Sequence, residues 1–136
     1  MVGAIGRGLV VLVGVASGDT PEDADKLARK TADLRVFPDD GGRFDRSLLD
    51  IGGEALVVSQ FTLLADTRRG RRPDFMAAAP PEEAEALVER YVSALAHMGV
   101  RVSTGRFGAH MLVEIHNDGP VTILLDTADL DRPRRG

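Results

Sequence analysis

The sequence predicts an α/β domain in which a mixed sheet, layered or barrel-like, packs against two main helices. Continuous apolar runs rich in β-branched residues, such as residues 9–16, are typical of strands buried on both faces. One stretch in the second half instead repeats its apolar residues every three or four positions, which is the period of a helix. Strand and helix patterns alternate along the chain, and this alternation indicates the α/β class.

The first half of the chain is predicted to form a strand, a helix and a short strand. The strand at residues 9–16 ends at a turn around Gly18. Thr20 can cap the following helix, and Pro21 suits its first position because that residue needs no N–H donor. The inward face of this helix consists of Ala24, Leu27, Ala28 and Thr31. A short strand is expected at residues 34–37.

The second half begins with a strand at residues 55–61, whose last residues are polar. A long helix is predicted to start within residues 80–83 and to end at Gly99. Its apolar residues share one helical face, and they are Ala84, Leu87, Val88, Tyr91, Val92, Leu95 and Met98. Three more strands are expected at residues 100–104, 111–116 and 121–126.

The length and composition exclude several classes of protein. The 136 residues fit one domain over residues 1–130, followed by a polar tail at 131–136. A net charge of −4 argues against binding that is driven by overall positive charge. The absence of Cys excludes disulfides, thiol nucleophiles and Cys-ligated metals.

No cofactor site is expected from the side chains that usually bind metals. The three histidines, His97, His110 and His116, do not pair at metal-ligand spacing. The longest apolar run spans residues 9–16, whereas a membrane-spanning helix needs about 20 residues. We therefore expect no metal, no cofactor, no contact with a membrane and a location in the cytoplasm.

Four arginines lie within five positions, and they are Arg68, Arg69, Arg71 and Arg72. Guanidinium groups match the geometry of phosphate oxygens. The cluster directly follows a strand with a polar end, in a chain that is acidic overall, and this setting favours a phosphate-bearing partner such as RNA or a nucleotide. A solvated loop with no partner is the alternative interpretation.

Polar groups also gather where the second long strand ends. Ser59 and Thr62 supply hydroxyls, and Gln60 supplies an amide. Backbone N–H groups that are free at a strand end can stabilise an oxyanion. The alternative is that these residues only form a turn, which is the usual role of Ser and Thr at such positions.

The dipeptide Gly119-Pro120 lies between the last two predicted strands. Proline cannot donate to a strand ladder, so it belongs at the start of a strand or at an edge. A Gly-Pro bond has an appreciable chance of being cis. Two neighbouring carbonyls in such a turn could accept hydrogen bonds from an ammonium group. A plain turn between two antiparallel strands is the alternative.

Three motifs together resemble the signatures of the D-aminoacyl-tRNA deacylase family. The central one is SQFTL at residues 59–63, followed by ADTRRGRRP at 65–73. The two downstream motifs are GRFGAHM at 105–111 and NDGPVT at 117–122. Their order and spacing also fit, and the resemblance extends from about residue 2 to residue 127.

The resemblance implies a homodimeric hydrolase with its site at the subunit interface. The family hydrolyses the ester that joins a D-amino acid, or glycine mischarged on tRNA-Ala, to the 3′ end of tRNA, which is a chiral proofreading step in translation. Gly119 and Pro120 would form a cross-subunit cis-proline motif, whose carbonyls bind the substrate ammonium and exclude an L side chain. No DNA partner is expected.

The resemblance also assigns roles to the other motif residues. Gln60, Phe61 and Thr62 would line the ester and the terminal adenosine, and backbone N–H groups near Phe61 and Thr62 would hold the oxyanion. Ser59 would position the strand end. Phe107 and Met111 would contact the substrate. The arginine cluster would bind tRNA phosphates.

Two mechanisms are compatible with these residues. Thr62 could attack the ester as a covalent nucleophile, but a threonine hydroxyl needs an adjacent base, and the sequence shows no candidate for one. We therefore prefer direct attack by water, oriented by backbone groups and by the terminal ribose hydroxyl of the tRNA.

Members of the family start with a further strand segment that carries an Arg close to the Gly-Pro motif. This chain begins Met1-Val2-Gly3, so we expect that segment to be absent and a sheet edge to be exposed. The alternative function is therefore a tRNA-binding homodimer that is catalytically impaired. A third interpretation is a proofreading deacylase that acts on a mischarged L-amino acid, but the order of Gly119 before Pro120 resembles the D-specific branch.

Overall fold

The computed structural model describes residues 2–130 of the chain. Within them the strands are β1 (Gly8–Val13), β2 (Phe37–Pro38), β3 (Phe44–Arg46), β4 (Glu54–Ser59) and β5 (Arg101–Thr104). The helices are α1 (Pro21–Asp33), α2 (Leu48–Ile51), α3 (Pro81–His97) and α4 (Thr127–Leu130), with a 3₁₀ turn at Phe61–Leu64. The polar tail expected at residues 131–136 lies outside the described residues.

The main sheet is parallel, with the strand order β1-β4-β5. Leu9 lies opposite Ala55, and Ala55 lies opposite Val102. Parallel neighbours need a long crossover, and α1 and α3 lie in the two crossovers. The strands β2 and β3 form a separate antiparallel ribbon. The predicted α/β class and its two main helices are therefore confirmed.

The core lies between the sheet and the two long helices, which pack on each other. The predicted inward faces are confirmed, since Ala28, Tyr91 and Leu95 are almost fully buried. The hydroxyl of Tyr91 donates a 2.8 Å hydrogen bond to that of Thr31, which itself donates to the carbonyl of Leu27 at 2.8 Å. Every polar group of this buried chain of hydrogen bonds therefore has a partner.

Local capping explains where the helices begin and end. The side chain of Thr20 accepts a hydrogen bond from the N–H of Asp23, and Asp23 accepts one in return from the N–H of Thr20. The helix α3 starts at Pro81 and is followed by Gly99 in a left-handed conformation, as expected. None of the helices within residues 2–130 is long and apolar enough to cross a membrane.

Two predicted strands are wrong. Residues 111–116 and 121–126 form no strand, and residues 111–125 make no backbone–backbone hydrogen bond with other described residues. Their apolar residues remain outside the core, with Leu112 and Leu124 each 89% exposed. A strand is stable only when a neighbour completes its ladder, and the described part of this chain offers none there.

Two smaller differences concern residues 34–51. The strand expected at 34–37 instead comprises Phe37–Pro38, and it pairs with β3, which the sequence did not predict. The short helix α2 was also missed. It is capped by Ser47, which exchanges hydrogen bonds with Asp50, and it ends at Gly52.

Candidate active site at the end of the parallel strands

The candidate site begins where β4 meets the end of β1. Ser59 is the last residue of β4, lies opposite Val13 and is half-buried. The N–H of Gln60 donates a 2.7 Å hydrogen bond to the carbonyl of Val13, which extends the ladder by one residue. The chain then turns, and the Phe61–Leu64 turn lies above the carboxyl ends of two parallel strands, where ligands commonly bind in α/β folds.

The Phe61–Leu64 turn presents free donors to solvent. Phe61 is 58% exposed, and Thr62 is also exposed. The backbone N–H groups of these two residues donate no hydrogen bond within residues 2–130. The first N–H groups of any helical turn lack an internal partner, so this feature follows from the local fold. Two adjacent unpaired donors can stabilise negative charge on an oxygen.

The hydroxyl of Thr62 has no base beside it. Its hydrogen bond within the described residues is a 3.1 Å contact with the side-chain amide nitrogen of Gln60, which donates. An amide nitrogen of this kind cannot take a proton. The Thr62 hydroxyl is therefore held in place by Gln60, and this contact does not activate it as a nucleophile.

The arginine cluster lies on a closed hairpin, residues 66–74, here called the arginine hairpin. The backbones of Asp66 and Asp74 exchange hydrogen bonds of 2.7 and 2.9 Å across its base. Gly70 adopts a left-handed conformation at φ 63° near its tip. The hairpin follows the Phe61–Leu64 turn directly, so the cluster lies beside the free N–H groups in the chain.

The four arginines of the hairpin are not equivalent. Arg68 binds the carboxylate of Asp66 through two hydrogen bonds of 2.9 and 2.8 Å. This contact lowers the pKa of Asp66 below its ordinary value. Arg69, Arg71 and Arg72 are exposed and make no ion pair with any of residues 2–130. Three of the four predicted cations are therefore open to a ligand, and one is neutralised.

Residues 105–125, here called the C-terminal arm, carry the remaining predicted site residues. Gly105 donates its N–H to the carbonyl of Val57 at 3.3 Å, which anchors the start of the arm to β4. A Cβ on Gly105 would lie 2.5 Å from the sulfur of Met111, so Met111 packs directly on this glycine. Phe107 is half-buried and packs against the core.

Gly119 and Pro120 lie on an exposed loop of the C-terminal arm, and the bond between them is cis. Asn117 shapes this loop. Its side-chain oxygen accepts a 2.9 Å hydrogen bond from the N–H of Val121, and its amide donates to the hydroxyl of Thr122 at 3.2 Å. No hydrogen bond within residues 2–130 joins this loop to the Phe61–Leu64 turn. One chain alone therefore does not link the two predicted halves of the site by hydrogen bonds.

Comparison with known proteins assigns the chain to a family. The model of the family described as D-Tyr-tRNA(Tyr) deacylase matches residues 1–126. A D-aminoacyl-tRNA deacylase of Roseiflexus castenholzii is 63% identical over 98% of this chain and 85% of its own length. The chain belongs to the D-Tyr-tRNA(Tyr) deacylase family. A D-aminoacyl-tRNA deacylase of Chloroflexus aurantiacus is 58% identical over 99% of this chain and 84% of its own length.

Solved structures agree with the fold of this deacylase family. One named "c-Myc DNA Unwinding Element Binding Protein" superposes with a TM-score of 0.83 at 42% identity, over 90% of this chain and 83% of that one. A structure described as a probable eukaryotic D-amino acid tRNA deacylase gives a TM-score of 0.69 at 18% identity, over 78% and 77% of the two chains. The resemblance predicted from the three sequence motifs is therefore confirmed.

Most residues of the candidate site are exposed. Two shallow clefts of about 380 and 330 Å³ lie instead on the layer formed by α1 and α3, here called the helical layer, beside Arg35 and beside Arg90 respectively. Neither is lined by any of the predicted site residues. The arginine hairpin and the Phe61–Leu64 turn both lie outside these clefts.

Sequence reasoning assigned no individual role to three residues that shape the site. Phe75 places its ring against that of Phe61, with the centroids 5.0 Å apart. Gly14 lies beneath the Phe61–Leu64 turn, and Asn117 holds the Gly119-Pro120 loop. The pairing of Arg68 with Asp66 had a sequence signal, because an Asp two residues before an Arg can bind it locally. The contacts of Phe75 and Gly14 join distant parts of the chain and had none.

Proposed function

We propose that this chain hydrolyses the ester bond of D-aminoacyl-tRNA, and of glycyl-tRNA mischarged on tRNA-Ala, in the cytoplasm. The observation that carries this proposal is the match of its family over residues 1–126, with relatives 56–64% identical that are named for this activity. The geometry supports it, because free N–H groups for an oxyanion lie next to arginines that suit phosphates.

Water is the proposed nucleophile. Its oxygen adds to the ester carbonyl carbon, and the electron pair of the C=O bond moves onto the carbonyl oxygen, where the N–H groups of Phe61 and Thr62 hold the charge. Collapse of this intermediate breaks the bond from carbon to ribose oxygen. One proton of the water ends on that ribose oxygen, and the other stays on the new carboxyl group, which then ionises. The products are free amino acid and tRNA.

Water is favoured over Thr62 because the contacts of that hydroxyl supply no base. Gln60 donates to it, and an amide cannot accept the proton that attack would release. We propose that Gln60 and Thr62 instead line the ester and the terminal adenosine, with Ser59 holding the strand end beneath them. The neighbouring ribose hydroxyl of the tRNA orients the water.

The arginine hairpin is proposed to bind the phosphate backbone of the tRNA. Arg69, Arg71 and Arg72 are the cations available for this, since Arg68 is held by Asp66. These contacts position the substrate and do not read its amino acid. We propose RNA as the partner and expect no comparable binding of duplex DNA, although the name of one similar structure describes that protein as DNA-binding.

Chirality is proposed to be read by the Gly119-Pro120 loop of a second copy in a homodimer. The carbonyls of both residues are exposed and accept no hydrogen bond within residues 2–130, so they are free to take an ammonium group. Main-chain atoms that crowd one side of the α-carbon reject an L side chain and tolerate many D side chains. Phe107 and Met111 are proposed to contact the substrate beside them.

The homodimer proposal is supported by the apolar surface of the C-terminal arm. Its exposed aliphatic residues are Leu112, Ile115, Ile123 and Leu124. Four large aliphatic side chains exposed within one short segment favour an interface that covers them. A second copy would cover these residues and bring a Gly119-Pro120 loop to each Phe61–Leu64 turn.

A catalytically impaired tRNA-binding dimer is not the favoured function. Relatives that share more than half of this sequence carry the deacylase name, and each predicted motif is present in full. A deacylase for L-amino acids is likewise disfavoured, since it would need a different order at Gly119-Pro120.

The experiment compares hydrolysis of D-tyrosyl-tRNA and L-tyrosyl-tRNA by this chain under single-turnover conditions. Release from the D ester at least about 100-fold faster than from the L ester is expected, because the rejected L side chain would meet backbone atoms. Equal rates, or no release from either ester, would refute the proposed function. An acyl ester trapped on Thr62 during turnover would refute the water mechanism while leaving the function intact.

A further inference from the structure

The Phe61–Leu64 turn lies directly on a residue that has no side chain. Gly14 follows β1, and a Cβ built on it would lie 2.4 Å from Cδ2 of Leu64 and 3.0 Å from Cβ of Leu63. The same atom would lie 3.3 Å from the carbonyl oxygen of Gln60. The leucine side-chain end could move, but the carbonyl of Gln60 is held within the turn, where it accepts a 3.3 Å hydrogen bond from the N–H of Leu63. A side chain at residue 14 would therefore press on the turn at three points.

A second support comes from the segment after the arginine hairpin. The ring of Phe75 meets the ring of Phe61 edge-on, at a centroid distance of 5.0 Å and an interplanar angle of 65°. This is a favoured geometry for an aromatic pair. Phe75 is half-buried, whereas Phe61 is mostly exposed, so Phe75 is the fixed member of the pair. The contact limits how far the Phe61 ring, and the backbone that carries it, can move sideways.

The segment that carries Phe75 is itself anchored to the end of β1. The N–H of Ala79 donates a 2.9 Å hydrogen bond to the carbonyl of Val15, and the N–H of Ser17 donates one of 2.9 Å to the carbonyl of Ala77. Gly14 and Phe75 therefore belong to one rigid frame around the end of β1. The Phe61–Leu64 turn rests on this frame from below and from one side.

We propose that Gly14 and Phe75 are positioning residues for the hydrolysis. Gly14 sets the distance between the turn and the ends of the parallel strands, and Phe75 fixes the Phe61 ring and with it the two free N–H groups. This inference rests on the proposed function, because the turn is where the ester is proposed to bind. Neither residue touches the reacting atoms, so both act on the rate through the position of the oxyanion donors.

The expected effect is on the chemical step. Oxyanion donors work only at short range, and a misplacement of about 1 Å costs about 100-fold in rate. Gly14→Ala is expected to lower the single-turnover rate on D-tyrosyl-tRNA about 10- to 100-fold. Phe75→Leu is expected to lower it about tenfold. The Kd for uncharged tRNA should change less than about threefold, because the hairpin arginines are intact.

Each variant has a matched control. Gly6→Ala adds the same methyl group near the other end of β1, where the new Cβ would meet one side-chain oxygen of Glu54 at an ordinary 3.5 Å. Phe44→Leu removes the same ring from an exposed position on β3. Both controls should keep the wild-type rate within about twofold. The Tm of every variant is measured beside its rate.

A rescue variant separates positioning from a general loss of stability. Leu64→Ala removes the side-chain atom nearest to the new Cβ. The double variant Gly14→Ala with Leu64→Ala should therefore hydrolyse the ester at least about threefold faster than Gly14→Ala alone. If Gly14→Ala fails to fold, Phe75→Leu and its rate still test the proposal. Rates within about twofold of wild type in both variants would overturn the proposal. A loss of rate that is accompanied by an equal loss of tRNA affinity would also overturn it.

A measurement that needs no activity keeps this inference apart from the proposed function. The backbone amide NMR shifts of Phe61 and Thr62 should move in Gly14→Ala and in Phe75→Leu, and should stay unchanged in both controls. Unmoved amide shifts would overturn the inference even if the enzyme is active. Moved shifts in a chain that hydrolyses no ester would refute the proposed function alone, and the support of the turn by these residues would stand.

Discussion

The helical layer and the C-terminal arm both contain many apolar residues, but they differ in how far these side chains are buried. In the helical layer, Leu95 and Tyr91 are almost fully buried, and the Tyr91 hydroxyl has a partner in Thr31. In the C-terminal arm, Leu112 and Leu124 are almost fully exposed. The helical layer buries its apolar side chains and pairs its buried hydroxyls within one chain. In the arm, residues 111–125 make no backbone–backbone hydrogen bond with other described residues, and several of its apolar side chains are exposed.

This difference supports the proposal that a second copy covers the arm. The two downstream motifs lie in the arm, the central motif and the arginine hairpin follow β4, and α1 and α3 carry none of them. Association removes exposed apolar surface from water, so a large surface of this kind usually marks an interface. We therefore expect changes in the arm to affect assembly and activity, and changes in the helical layer to affect stability alone.

The largest effect is expected from charges placed on the arm. Leu112→Asp with Leu124→Asp should convert the proposed dimer to a monomer and lower D-tyrosyl-tRNA hydrolysis about 100-fold or more, because an unpaired charge in an interface costs about 2–5 kcal/mol. The isolated chain should keep its fold, since both side chains are already exposed. Light scattering and the single-turnover rate are the measurements.

The control for the arm variant is Ala86→Asp, which places a charge on the exposed face of α3. This variant should remain dimeric and fully active. A double arm variant that stays dimeric with the wild-type rate would show that the apolar surface of the arm has another role.

A smaller effect is expected from the arginine hairpin. Arg71→Ala with Arg72→Ala should weaken tRNA binding about tenfold and reduce the slope of log K against log salt by about 1–2, because two phosphate contacts are lost. The preference for D over L esters should not change, since these residues are proposed to touch phosphates only. An unchanged salt slope would make the hairpin a solvated loop.

Arg68→Ala is the internal comparison for that experiment. Its guanidinium is already bound to Asp66, so its removal should change the salt slope less than the removal of Arg71 alone. Equal effects of the two single variants would show that the Asp66 contact opens when tRNA binds.

The fold was predictable where the signals are local. Thr20 and Pro21 mark the start of α1, and the apolar face of α3 is set by spacing alone. The strands at residues 111–116 and 121–126 were predicted from composition, but a strand also needs a neighbour, and a sequence does not say whether the neighbour lies in the same chain. The strand β3 and its pairing with β2 were missed because the two strands are only three and two residues long.

The candidate site was predictable as motifs but not as geometry. The sequence and the family resemblance together pointed to the Ser59–Thr62 stretch, the arginines and Gly119-Pro120. The support of the Phe61–Leu64 turn by Gly14 and Phe75 depends on contacts between residues 46 or more positions apart for Gly14, and on the folded path of the hairpin for Phe75. Such contacts follow only from tertiary packing.

The smallest effect is expected in the helical layer. Tyr91→Phe should lower the free energy of unfolding by about 1 kcal/mol, the usual value for one buried hydrogen bond, and leave the deacylation rate unchanged. Thr31 keeps its own bond to Leu27, so no buried donor is left unpaired. Chemical denaturation and the single-turnover rate check both parts. A loss of activity at unchanged stability would show that the helical layer takes part in function.

The same tyrosine gives a pH test. Burial raises the pKa of Tyr91 to about 12 in the folded chain. The unfolded chain loses this proton near pH 10, so the contribution to stability is complete below pH 10 and is lost as the pH rises from 10 to 12. The chain has one Tyr and no Trp, so tyrosinate absorbance reports on Tyr91 directly. Titration near pH 10 in the folded chain would contradict its burial.

The most direct test of the account measures D-tyrosyl-tRNA and L-tyrosyl-tRNA hydrolysis over a dilution series, with the mass of the protein determined at each concentration. The account predicts rapid release from the D ester alone, with activity per chain that falls as dimers dissociate into monomers. Full activity per chain in the monomer, or comparable rates on both esters, would contradict a chiral site completed by a second copy.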